Sequence, residues 1–276
     1  MRGETEESLL KHPRMTCEKI SLALRILNFL ALLCAATNQT SLVSLICFKI
    51  IRLNIEHGIS RSMPTAMAWY GVIHLYAGFP VADAVKYGRI ALGLLEALNC
   101  HEGKAQVSAL CHGMIFTFVD PSECVKPLHT GCMAGLEGGD VMNAMICAQV
   151  ICLLSFHSGQ PLAVVASTLE KFSHLMREYN TSTLLGVNLI YEQVVEKLTE
   201  RLTLWRDRAV LSGTKLNGTS CSNMEKEHAC LVQMMLAYFL DDYNLAWRAS
   251  NELVCIPRRV SLISFHAVFY LSLIHI

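Results

Sequence analysis

The apolar and polar positions of this chain follow the 3.6-residue period of an α-helix along most of its length. The pattern is clearest after Pro161, where apolar residues recur at alternating intervals of three and four: Leu162, Val165, Leu169, Phe172, Met176 and Tyr179. This spacing places them on one helical face that packs against a neighbouring helix. Because Leu169 and Phe172 lie in the middle of the face, we expect both to be deeply buried.

Comparable patterns predict helices along the rest of the chain. The predicted ranges are 17–33 with Thr16 as the cap, 41–56 ending before Gly58, 62–76, 81–98, 104–118, 120–138, a helix after Asp140 without charged residues, 182–211, 224–240, 243–254, and one more from about 260. Pro127 either kinks its helix or marks the true start, because proline is excluded from a helix interior. Strands are not expected, since no run of five residues alternates strictly with a period of two.

Three prolines are regularly spaced at the starts of predicted helices. Pro80, Pro121 and Pro161 lie 41 and 40 residues apart, and Asp242 opens a further stretch 81 residues after the last of them. A period of about 40 residues is typical of two antiparallel helices per unit, stacked into a solenoid. Proline is tolerated at these positions because the first turn of a helix has no intrahelical partner for its N–H group. We therefore expect the three helices to be equivalent and roughly parallel.

Composition limits the possible partners. Hydrophobic residues make up 53% of the 276 residues and charged residues 17%, with a formal net charge of zero, whereas soluble domains average about 25% charged residues. Nucleic acid is not an expected partner, because no basic surface is indicated. The scarcity of charge implies either helices covered by something outside this chain or a membrane.

Two apolar runs keep the membrane alternative open. Residues 20–36 resemble a signal peptide or anchor, but Arg25 and Asn28 interrupt the run, which favours an amphipathic helix. Residues 141–156 have no charge, but 16 residues are short of the ~20 that span a bilayer. A central helix surrounded by protein explains the second run better.

The 12 cysteines occur singly on helical faces and never as C-x-x-C. This usage is typical of small buried apolar residues in a reducing compartment. We accordingly expect a cytoplasmic protein without a disulfide framework.

Candidate chemistry is sparse. The chain contains no glycine-rich phosphate loop, so we expect no ATP hydrolysis by this chain alone. A cluster of glycines at 131, 135, 138 and 139 is typical of close helix packing rather than of a ligand cradle. Trp205, Arg206 and Asp207 indicate a packing anchor with a solvated ion pair.

One cluster and three pairs of potentially reactive residues also favour structural roles. Cys124, His129 and Cys132 fall within two helical turns, but a zinc site needs three or four converging ligands. Cys111 and His112 are adjacent, and adjacent helical residues point about 100° apart, which prevents a nucleophile–base pair. The acidic pairs Asp241–Asp242 and Glu225–Glu227 are ordinary partners of helix dipoles. The sequence thus predicts no catalytic, cofactor-binding or metal-binding residues.

Several runs carry a family resemblance: ESLLKHPRMTCEKISLALRIL, PVADAVKYGRIALGLLEAL, GLEGGD, SFHSGQPLAVVASTLEKF and LDDYNLAWRASNELV. Between about Glu7 and Phe269 they resemble the tetratricopeptide-like helical region of large signalling proteins. Those proteins join a serine/threonine-kinase-like domain and a predicted STAND-type ATPase to GAF and histidine-kinase modules. The resemblance implies an all-α, right-handed α-solenoid of about six antiparallel helix pairs, which acts as a spacer and sensor and carries no catalytic residue.

The domain prediction that follows is an N-terminal tail or helix start at 1–14 and a repeat domain at 15–270. Residues 271–276 (LSLIHI) are expected to be a non-native tail, because the resemblance stops near Phe269 and the six residues match a translated transposase sequencing adapter. The predicted function is a non-catalytic scaffold that binds a protein partner or a neighbouring domain, without cofactors. A membrane-anchored helical protein and a helical enzyme with a Cys/His site are the alternatives.

Overall fold

The computed structural model describes residue 9 and residues 11–37, 39–201, 222–239 and 242–256. Across these residues the protein is all-α, as predicted, and its β-type pairing is limited to an isolated bridge between Arg14 and Ile59. The helices are α1 (Glu18–Ala36), α2 (Thr40–His57), α3 (Met63–Tyr76), α4 (Val81–Ala97), α5 (Lys104–Leu110), α6 (Val125–Gly138), α7 (Val141–His157), α8 (Leu162–Glu178), α9 (Ser182–Arg201), α10 (Asn223–Phe239) and α11 (Tyr243–Cys255). The chain divides into two compact units, Met1–Val150 and Ile151–Ile276, and the division falls within α7.

The first unit is a series of helices joined by short connections. Along the chain, α1 packs on α2, α2 on α3, and α3 on α4, while α5 packs on α6. Short connections force consecutive helices to be neighbours in space. The centre of this unit is α3, in which every residue from Met63 to Trp69 is buried.

The N-terminal segment is fixed to the end of α2 by backbone contacts. The Ile59 N–H donates to the Pro13 carbonyl at 2.8 Å, and the Met15 N–H donates to the Ile59 carbonyl at 3.0 Å. Between them Gly58 has φ +105°, and a Cβ atom there would lie 2.9 Å from the Arg14 backbone. Glycine is therefore required at the end of α2, as the sequence indicates.

Local capping differs from the prediction at α1. Thr16 is not the cap: Cys17 occupies that position in extended conformation, without a side-chain hydrogen bond, and α1 runs to Ala36. The helix therefore starts without the usual polar cap and is held by packing on α2.

The predicted helix at 104–118 is helical throughout, but it consists of three consecutive types of helix. The α-helical part ends at Leu110, a π-helical turn follows at Cys111–Ile115, and a 3-10 turn covers Phe116–Phe118. Within this segment Gly113 lies against the Val150 side chain, so that a Cβ would approach Val150 Cγ2 to 3.2 Å. Because Gly113 and Val150 are distant in sequence, the local pattern of apolar residues does not predict this contact or the change of helix type.

The prolines at the predicted helix starts fall into two groups. Pro80 and Pro161 both precede the first residue of their helices with nearly the same backbone angles, φ −54° and ψ 138° against φ −53° and ψ 132°. Pro121 has φ −62° and ψ −30° and precedes a 3-10 turn at Ser122–Cys124 instead. The helix α6 begins at Val125, so Pro127 marks the true start rather than a kink.

Helix α7 has the burial that its uncharged sequence predicts. Within the first unit, Ala144, Met145, Cys147 and Ala148 are inaccessible to solvent. Asp140 caps the helix, because its carboxylate accepts a hydrogen bond from the Asn143 backbone N–H at 3.4 Å.

The second unit contains the seam predicted for α8. Val165, Leu169, Phe172 and Met176 are buried, and α8 packs on α9 while α10 packs on α9 and α11. Both Leu169 and Phe172 are confirmed as core residues. The C-terminal part of the predicted helix at 182–211, the helix from about 260, and the tail at 271–276 lie outside the described residues.

Candidate interaction surface

A row of large apolar side chains on α1 faces solvent. Leu22, Ile26, Phe29 and Leu33 are 58%, 60%, 62% and 47% exposed. Their spacing of four, three and four residues aligns them along one face, which is the pattern of a helix seam that packs against another helix. Among the described residues of the first unit, no helix covers this seam.

The opposite face of α1 attaches the helix to the first unit. Leu24, Ala31 and Cys34 are buried. The Arg25 guanidinium lies 3.2 Å from the Glu102 carboxylate, and the Asn28 amide donates to the Gln106 side-chain oxygen at 3.5 Å. Both polar residues that interrupt the apolar run in sequence therefore make contacts with the loop before α5 and with α5 itself.

Helix α2 adds a second set of exposed apolar side chains. Leu42, Leu45 and Phe48 are exposed at intervals of three residues. Phe48 lies beside a surface depression of about 350 Å³ that is lined by Phe48, Ile51, Arg52, Ile55, Glu56 and Tyr70. On its rim the Arg52 guanidinium donates to the Glu56 carboxylate at 2.7 Å.

An aromatic row continues from Phe48 over α3 and α4. The Phe48 and Tyr70 ring centroids lie 5.9 Å apart, and Tyr70 contacts His74 at 4.3 Å and Tyr87 at 4.6 Å. His74 then contacts Phe79 at 5.0 Å, where the chain turns into α4. Desolvation raises the pKa of Tyr70, and the neighbouring Tyr87 adds to the effect. The three contacts of Tyr70 are edge-to-face, a favoured arrangement of aromatic rings, so the surface of α2–α4 is partly apolar and aromatic.

Of the pair considered for nucleophilic chemistry, Cys111 is buried and His112 is half-buried. The Cys111 thiol is buried and donates to the Gly88 carbonyl at 3.6 Å, and burial raises its pKa. Burial also lowers the pKa of His112 to about 4. A reactive cysteine needs a lowered pKa, so the environment of Cys111 acts in the opposite direction.

The sequence cluster of Cys124, His129 and Cys132 does not converge on one point. Cys124 is buried and donates to the Asp120 carbonyl at 3.3 Å, Cys132 is buried, and His129 is exposed. In the described part of the chain, no group of three or more potential metal ligands comes together.

Part of the glycine cluster has the packing role that the sequence indicates, whereas a Cβ atom on Gly138 or Gly139 would meet no atom within 4 Å. A Cβ atom on Gly131 would lie 2.5 Å from Ser108 Cβ and 3.3 Å from Cys147 Sγ. Gly131 thus allows α6 to approach α5 and α7 closely.

Asp242 and Glu225, two of the acidic residues predicted at helix starts, take part in capping. The Asp242 carboxylate accepts from the Leu245 N–H at 3.1 Å, while Ser222 and Glu225 form a reciprocal capping box with distances of 2.6 and 3.2 Å. Asp241 and the segment from Trp205 to Asp207 lie outside the described residues.

Two features escaped the sequence analysis. The first is the exposure of the α1 seam. The regular spacing of its apolar residues can be read from the sequence, but a buried seam would have the same spacing. The other is a buried hydrogen-bond chain in the second unit, in which the Tyr191 hydroxyl lies 3.3 Å from His157 Nε2 and 3.2 Å from His228 Nδ1. No local signal identifies it, because its members are 34 and 37 residues apart.

One described helix, α1, is long and apolar enough to cross a membrane, and 17% of its apolar window is buried. No protein-family model, curated protein or solved structure matches this chain.

Proposed function

We propose that this chain is a non-catalytic helical scaffold that binds a helix of a partner protein, or of a neighbouring domain, through the exposed seam of α1. The observation that carries the proposal is the solvent exposure of Leu22, Ile26, Phe29 and Leu33 along one face. Exposed apolar patches of this kind mark interaction sites in soluble proteins.

The spacing of the seam defines the chemistry of the partner. An incoming amphipathic helix with apolar residues at alternating intervals of three and four would interdigitate with the α1 side chains. Burial of each half-exposed side chain stabilises the complex by roughly 1 to 1.5 kcal/mol, so the four contribute roughly 4 to 6 kcal/mol. Association costs at least about 4 kcal/mol, and further contacts are therefore needed.

The exposed side chains of α2 supply such contacts. Leu42, Leu45 and Phe48 extend the apolar area, and Phe48 leads into the aromatic row of Tyr70 and His74. Aromatic side chains are enriched among the residues that dominate binding energy. A partner that covered both α1 and α2 would bury enough apolar surface for a specific complex.

The resemblance to tetratricopeptide-like regions supports the wider setting of the proposal. Consecutive helices that pack as neighbours, such as α1 with α2, α3 with α4, and α8 with α9, fit the helix pairs of a right-handed α-solenoid. In this interpretation the chain is a piece of a cytoplasmic multidomain ATPase or kinase signalling protein, and the partner is one of its neighbouring domains. Sequencing the gene on both sides would identify kinase or ATPase motifs if this interpretation is right.

A membrane-anchored protein is the second candidate, because α1 has the length and composition of a spanning helix. Transfer of α1 into a bilayer would break the Arg25–Glu102 ion pair and the Asn28–Gln106 hydrogen bond, and would bury the Arg25 charge in hydrocarbon at a cost of several kcal/mol. Flotation with phosphatidylcholine/phosphatidylserine vesicles separates the two candidates. The scaffold stays at the bottom of the gradient, whereas an anchored protein floats and resists extraction by carbonate.

Site-specific photocrosslinking tests the scaffold proposal in cells. A benzophenone amino acid at Ile26 should crosslink to one discrete protein, or within the same long polypeptide, and Phe29→Glu should abolish the product. The matched control carries the same probe at Thr130, an exposed residue of α6. Equal products from both positions, or a product that persists in Phe29→Glu, would refute the proposal.

A further inference from the structure

A cavity of about 280 Å³ lies within the second unit, between α9, α10 and α11. It shares no residue with the α1 surface and does not depend on the function proposed for that surface. Its lining residues on α9 and α10 recur at helical spacing, so each helix contributes one continuous face. Helix α9 contributes Ile190, Val194 and Lys197, and α10 contributes Ala229, Val232 and Leu236.

The walls of the cavity are apolar. Ile190 and Val194 of α9 and Val232 and Leu236 of α10 are buried residues whose side chains line it. Small-molecule sites have this character, with apolar walls that cover the body of the ligand and few polar groups that orient it. The volume corresponds to about nine water-sized groups of ~30 Å³ each, which suits an aliphatic chain of short to medium length.

The polar groups of the lining favour an anionic head group. Lys197, Lys226, Gln193 and Gln233 are hydrogen-bond donors in the lining. The Cys230 thiol donates to the Glu252 carboxylate at 3.9 Å. Among the described lining residues there are two ammonium groups and one carboxylate, which gives a net charge of +1. Across the described residues, neither lysine belongs to an ion pair. An anion that entered the cavity would therefore meet one more cation than carboxylate among the described lining residues.

We propose that this cavity is a binding site for a small aliphatic carboxylate, with its chain against Val194 and Val232 and its carboxylate at Lys197 or Lys226. The lysine contact is a charge-assisted hydrogen bond, the stronger class of polar interaction. The glutamine amides donate to the remaining carboxylate oxygen. Uncharged molecules of the same length fill the apolar part but lose the head-group contact.

Octanoate and octanol are the matched probes, since they share the chain and differ in the head group. We expect octanoate to bind the full chain with a Kd on the order of 1 mM, appropriate to a ligand of about ten heavy atoms, and octanol to bind about tenfold more weakly. Ligand-observed NMR measures both. Ala229→Phe should abolish binding of both probes by filling the cavity, and its thermal unfolding curve will show whether it remains folded.

The double substitution Lys197→Gln/Lys226→Gln should weaken octanoate binding about tenfold and leave octanol binding unchanged. Lys171→Gln, on the exposed side of α8, is the charge-matched control and should keep the affinity for octanoate. Octanoate that binds no more tightly than octanol, or an affinity that survives the double substitution, would overturn the proposal.

Discussion

The Tyr191 hydroxyl lies 3.2 Å from Nδ1 of His228 in the interior of the second unit. On its other side it lies 3.3 Å from Nε2 of His157, so a single hydroxyl connects side chains of α7, α9 and α10. A tyrosine hydroxyl has one proton to donate, and it satisfies two neutral imidazoles by donating to one and accepting from the other. Protonation of both imidazoles would leave the hydroxyl proton without an acceptor in this chain of contacts.

This relationship predicts that the protein loses stability in mild acid. Burial lowers the pKa of His228 from 6.5 to about 4, and burial followed by the nearby His228 lowers the pKa of His157. Since the pKa values of both histidines are lower in the folded state, the unfolded state binds protons first as the pH falls. The contribution of the neutral histidines to the free energy of unfolding is therefore fully present only above about pH 6.5. Protonation of His228 in the unfolded state should by itself lower the free energy of unfolding by about 2 kcal/mol between pH 7.5 and pH 5.

Urea unfolding at the two pH values measures this effect. His228→Asn keeps a hydrogen-bonding group near Nδ1 but cannot titrate, so it should lower stability at pH 7.5 and flatten the pH dependence. His174→Gln, an exposed position on α8, is the control and should preserve the wild-type slope. An unchanged slope in His228→Asn would show that this network does not control acid stability.

Phe172→Ala should destabilise the protein by about 3 to 5 kcal/mol. Phe172 is 3% exposed at the centre of the α8 seam, so truncation removes apolar contacts and leaves a cavity. Chemical denaturation would measure the loss, and Glu170→Ala, on the exposed face of the same helix, should change the free energy of unfolding by less than about 0.5 kcal/mol. Similar values for the two variants would contradict the packing of α8.

Substitution by alanine should have opposite effects on stability at Gly131 and at Gly138, which both lie in α6. Gly131→Ala should cost about 1 to 3 kcal/mol, because its Cβ would collide with Ser108, whose hydroxyl donates to the Pro127 carbonyl at 3.0 Å. Gly138→Ala meets no atom within 4 Å and should be neutral or stabilise by up to about 1 kcal/mol. Thermal melts of the two variants compare them directly, and a loss of stability in Gly138→Ala alone would be incompatible with the packing of α6.

Thiol labelling should divide the described cysteines into two groups. Cys17 and Cys255 are exposed and should react with maleimide within minutes, whereas buried thiols such as Cys47, whose pKa desolvation raises to about 12, should react only after unfolding. Peptide mass spectrometry assigns each label, and labelling in urea is the control. Rapid modification of Cys47 in the native protein would show that α2 is less tightly packed than the structure indicates.

The sequence could not predict which residues of α1 are exposed or which residues its polar side chains contact. On α1 the apolar residues Leu22, Leu24 and Ile26 are chemically alike, but Leu24 is buried and its neighbours are exposed. Arg25 and Asn28 argued against a membrane segment, but their partners Glu102 and Gln106 are more than 70 residues away. The tetratricopeptide-like solenoid and the equivalence of helices along the chain stay predictions.

The sequence by itself determined the all-α class, the α8 seam around Leu169, the buried character of α7, the end of α2 before Gly58 and the start of α7 after Asp140. Each depends on residues within one or two helical turns, where the 3.6-residue period and local hydrogen bonds decide the structure. Tertiary structure alone decided the exposed seam of α1, the π-helical turn after Leu110, the cavity beside Lys197 and the contact of Tyr191 with His228. These features arise from packing between residues distant in sequence, and a local pattern carries no information on which neighbour covers a given face.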